Sequence, residues 1–196
     1  MIRNMARAIG IEGGALLPLL MSLAILATGF YIGHVSMDGV AADDPLDAVS
    51  VTDDAAFLAL LWRFLIRNVG AALLYYSGVL TGGVSTLLAW GITSLYIGAT
   101  FASASTNVGF SAAFASVMWY APLEIFGLTL AATAGLYPIS VVFRSAHGRG
   151  EAGQGAASSY LTTYLRATRV SIRVLLIAVA IIVAAAVLEA AIISLR

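Results

Sequence analysis

The chain has 196 residues, of which 61% are hydrophobic and 10% charged, with a formal net charge of zero and a mean hydropathy of +0.97. These values lie outside the soluble globular range, so the solvent that governs the fold is a lipid bilayer. The absence of cysteine excludes disulfides, thiol nucleophiles and thiolate metal sites; all ten basic residues are Arg, which excludes a Schiff-base lysine; the two histidines, His34 and His147, have no partner at metal-ligand spacing; and the balanced charge gives no case for nucleic acid.

In chain order, residues 1–12 carry Arg3 and Arg7 and read as a cytoplasmic N-terminus. The apolar run 15–35 is too long for a cleaved signal segment, lacks a small-residue cleavage site, and reads as a retained first crossing. Pro18 falls in its first turn, and Gly29 and Gly33 form a GxxxG step that lets another helix approach. Residues 36–54 hold six Asp and no base, an acidic outer loop without the ligand spacing of a calcium site. Asp53 and Asp54 are placed to cap a helix over 55–68, where Trp62, Arg63, Arg67 and Asn68 suggest headgroup depth and an interfacial helix.

The stretch 69–143 contains seventy-five residues and a single ionised group, Glu124. At ~1.5 Å per residue it is about three crossings of helix. Gly78 and Gly82 lie in GxxxG register, and Gly91 is placed to turn the chain. Ile92 to Thr106 would then span only ~22 Å. After Asn107 and Gly109 a half-helix is expected from Phe110 to Tyr120, then a break around Ala121 and Pro122, then a full crossing from Leu123 to Phe143. Residues 144–173 form a basic loop with a glycine-rich hinge and a basic amphipathic helix suited to anionic lipid, and 174–195 form a last crossing with Glu189 near headgroup depth. The excess of Arg in this second loop puts it in the cytoplasm. The expectation is an all-α polytopic bundle of five transmembrane helices with a short or broken pair in its middle.

A lone intramembrane carboxylate must be paired, hydrated or protonated. Arg67 or Arg63 is the expected partner of Glu124, with Asn68, Tyr75 and Tyr120 completing a polar core site; a structural ion pair and a chemical role are both open.

The segment RFLIRNVGAALLYYSGVLTGGVSTLLAWGITSLYIG, Arg63 to Gly98, resembles the integral membrane family of stage II sporulation protein M. Asn68, Gly78, Gly82, Gly91 and Gly98 carry the first part of the likeness, and Glu124 followed by FGLTLAATAGL, with Gly127 and Gly135, carries the second. Many members have Pro-His-Gly before the Glu, where this chain has Trp119, Tyr120 and Ala121, so no role of that His is carried over. The resemblance spans about Phe57 to Tyr137 and implies a multi-pass protein of the bacterial inner membrane that works within an assembly, for envelope remodelling or for the maturation or export of ribosomally made peptides. It implies no shared catalytic activity, cofactor or metal. The expected partners are membrane lipid, a protein partner or a second copy held through Gly-rich faces, and a hydrophobic peptide. Two alternatives stay open: a membrane-embedded enzyme subunit with Glu124 as acid or base, opposed by an Arg, a Tyr or His34, and a small transporter built on the broken helix.

Overall fold

Lipid offers no hydrogen bonds to the backbone, so a chain this apolar satisfies its amides within helices. The computed structural model describes residues 15–37, 54–148 and 156–194, and all but the connections of these are helical. The elements are α1 (Leu16–Met37), α2 (Asp54–Tyr76), which runs on into a 3-10 turn at Ser77–Val79, α3 (Val84–Val108), α4 (Phe110–Val117), α5 (Ala121–Gly148) and α6 (Ala156–Ser194). Five of them, all except α4, are long and apolar enough to cross a membrane. The chain is an all-α, multi-pass membrane bundle. The expectations for residues 1–12, for the acidic loop between Met37 and Asp54, and for the glycine-rich hinge at 149–155 lie outside the described residues.

Three boundaries differ from the sequence expectation. The helix expected over 55–68 is not a separate interfacial element: it is the first half of α2, continuous with the crossing that ends at the 3-10 turn. The chain reverses at Gly82 and Gly83, not at Gly91, because these two adopt the left-handed φ values of 61° and 94° that residues with a Cβ resist. Gly91 stays inside α3, which is thereby a full 25-residue span and not a short fifteen-residue one. Finally, the expected amphipathic helix and last crossing are one 39-residue helix, α6.

The break expected around Ala121 and Pro122 falls slightly earlier, at Met118 to Tyr120 between α4 and α5. Pro122 is the second residue of α5, where its missing N–H deprives the helix of nothing. Gly109, at φ 83°, turns the chain from α3 into α4.

Packing follows the small residues. The span in α5 is 67% buried, against 11% to 28% for the others, so α5 is the axis of the bundle. Gly127 lets it close on α6, where an added Cβ would lie 2.7 Å from Ile182. Gly135 and Gly78 meet around Thr86, whose hydroxyl donates to the Tyr75 carbonyl at the end of α2. α1 lies parallel to α3: Ser22 faces Trp90, Gly29 faces Ser94, and Gly33 abuts the Leu95 carbonyl and Ala99. A Cβ on Gly98 would strike the Phe30 carbonyl. Two of the glycines expected in helix packing do other work: Gly82 belongs to the turn with nothing within 4 Å, and Gly91 has only Ile25, at 4.0 Å.

The bundle has two ends. One carries the α2–α3 turn and the first turns of α1, α3 and α6; the other carries α4, the break and the first turns of α2 and α5.

Candidate functional site

The break end gathers the polar residues. Tyr120 closes the interruption between α4 and α5, its carbonyl accepting from the amides of Leu123 (3.1 Å) and Glu124 (3.0 Å). These bonds start α5 and bring Glu124 into its first turn, where the helix dipole favours an anion. α2 descends parallel to α5, with Tyr75 level with Gly135, and Asn68, two turns earlier on α2, comes within reach of the Glu124 side chain. The buried Asn68 side chain hydrogen-bonds the half-buried carboxylate.

Arg67, one residue earlier on α2, is exposed on the bundle's flank, and its charge acts on Glu124 through space. Arg63 is exposed one turn nearer the helix start. Tyr75 is two turns deeper, 1% exposed, donating its hydroxyl to Thr93 (2.8 Å) and meeting the Trp90 ring edge-on at 5.2 Å. The expected site residues therefore fall into three groups. Glu124, Asn68 and Arg67 form one cluster, Tyr120 lies at the break that opens α5, and Tyr75 ties α2 to α3 while feeling the charges of Glu124 and Arg67. His34 is held elsewhere, stacked on Phe30 (6.1 Å) and near Phe101 (6.3 Å) between α1 and α3.

Sequence reasoning missed Glu189. Its carboxylate is half-buried and lies within electrostatic reach of both Glu124 and Arg67. The register explains why. Gly127 packs on Ala178 and Ile182 across an antiparallel pair, so one turn toward the break from Gly127 meets about 185, and Glu189 lies one turn beyond. That register leaves position 189 about one turn beyond the level of 124, toward the break end.

The result is a cluster of two carboxylates, one amide and one guanidinium contributed by three helices. In a medium of low dielectric, charges act on one another over longer distances than in water. A groove of 380 Å³ lies apart from it, between α1 and α3, and is lined by Ala24, Ile25, Thr28, Gly29, Gly91 and other apolar groups. Compared with known proteins, the chain matches no family model, no curated protein and no solved structure.

Proposed function

We propose that the chain is a non-catalytic membrane subunit of a multiprotein assembly in the bacterial cell membrane, serving peptide maturation or export, or envelope remodelling, as its resemblance to the stage II sporulation protein M family implies. One observation carries this reading: the polar groups at the break end are engaged with one another, while α2 presents a long face to the outside. Only 11% of the span in α2 is buried, and Trp62, Arg63, Ile66, Arg67 and Gly70 are exposed along it. No atom lies within 4 Å of where a Cβ on Gly70 would sit, leaving room for another helix. The partner face is thus assigned to α2, since Gly29, Gly33 and Gly98 are occupied in packing α1 on α3.

The test is purification of the full chain in mild detergent from its native membranes. A stoichiometric partner or a second copy is expected, lost in Gly70→Leu and kept in Glu124→Gln. Recovery as a lone monomer overturns the reading. On the same proposal the turn end, which carries Arg144, Arg166, Arg169 and Arg173, is cytoplasmic. The chain has no cysteine, so a single Leu80→Cys, in a turn residue 88% exposed, reports its side of the membrane to an impermeant thiol reagent.

A second reading, a small transporter, is favoured by two half-buried carboxylates, Glu124 and Glu189, within electrostatic reach of each other beside a helix break. Flux into liposomes holding this protein alone, abolished by Glu124→Gln, would select it over the first.

A further inference from the structure

Among the described residues, the turn end differs from the break end in having bases without acids. Among the described residues the acids are Asp54, Glu124 and Glu189, and all three lie toward the break end. Arg166, Arg169 and Arg173 are exposed on α6 near the turn end, where no described residue carries a carboxylate. Their spacing, three residues and then four, puts them on a single stripe. The same stripe continues along α6 through Leu176, Val183 and Val187, which are 63%, 37% and 43% exposed. One face of one helix is therefore cationic at its start and aliphatic below.

Depth fixes what this stripe meets. The Tyr164 hydroxyl donates to the Val79 carbonyl in the 3-10 turn, so Tyr164 is level with the end of the bundle. Counting from there, Arg166 lies ~3 Å and Arg173 ~13 Å along the helix. Side chains on a helix lean toward its N-terminus, which for α6 is the turn end, so all three stems carry their guanidinium groups back toward the membrane surface. We infer that this stripe is a binding site for an anionic phospholipid, with its phosphate held by Arg166, Arg169 and Arg173 and an acyl chain laid along Leu176, Val183 and Val187. Arginine suits the phosphate because its planar fork donates two parallel hydrogen bonds. The aliphatic continuation commits the site to a lipid: a free anion has no use for it.

The test is native mass spectrometry and thermal unfolding of the full-length protein in detergent, with added phosphatidylglycerol or phosphatidylcholine. The wild type retains phosphatidylglycerol in preference and is stabilised by it. At about a fivefold effect per arginine, replacing all three with Gln weakens retention roughly a hundredfold. Replacing all three with Lys keeps the charge and most of the preference, which shows that a loss in the Gln variant is not a failure to fold. Arg63→Gln, at the other end, leaves retention unchanged. Equal retention of the two lipids by the wild type, or an undiminished preference in the Gln variant, overturns the site. Stabilisation by inorganic phosphate alone, equal to that by phosphatidylglycerol, overturns the assignment to a lipid.

Discussion

Two contacts hold this bundle together by different physics. Where α1 meets α3, small residues line much of the contact, and the helices approach until glycine hydrogens touch backbone carbonyls. Where α2, α5 and α6 meet at the break end, Asn68, Arg67, Glu124 and Glu189 come within electrostatic reach of one another. The first is specified by the absence of side chains and the second by their charge. A steric contact fails when atoms are added, and a polar one fails when a single partner is removed.

The largest expected effect is at the steric seam. In Gly98→Leu the new side chain meets the Phe30 backbone, and α1 must move away; a loss of about 3 kcal/mol, the upper end for overpacking, is expected in SDS titration of the purified protein in mixed micelles. Next comes Glu124→Ala, which leaves the buried Asn68 amide without its acceptor and costs about 1–3 kcal/mol in the same titration. Glu124→Gln keeps an acceptor and costs less: its own loss reports the charge, and the further loss in Glu124→Ala reports the acceptor. Thr86→Val removes the bond to the Tyr75 carbonyl at nearly constant volume, with an expected loss of about 0.6 kcal/mol, the average for an interhelical hydrogen bond in a membrane. Smallest of all is Gly91→Ala. The nearest atom to its new methyl is 4.0 Å away, so unfolding should shift by less than about 0.5 kcal/mol. An intolerant Gly91 beside a tolerant Gly98 would invert the comparison.

Much of this was legible from residue order. Apolar run lengths gave the five spans, and Gly109 with the proline at 122 located a half-helix and a break to within a few residues. What residue order concealed was the choice among glycines. Gly82, Gly83 and Gly91 look alike in a sequence, but only the consecutive pair supplies two left-handed residues for a reversal, while Trp90, fully buried and donating to the Ser22 carbonyl at 2.9 Å, holds its neighbour Gly91 inside a helix. Of the candidate site, the association of Glu124 with Arg67 and Asn68 could be reasoned from the expected crossings. Glu189 could not, because its position depends on the register of two long helices, set by the contact of Gly127 with Ile182.

The partner of α1 is the third helix of the chain and the central α5, not its neighbour α2. During synthesis, then, α1 finds its principal partner only after α2 and α3 have followed it, and its remaining contacts only once α5 is in place. A polypeptide severed between Met37 and Asp54 is expected to regain its full structure when both fragments are made in one membrane, since the seam needs only the two faces and not the covalent link between them.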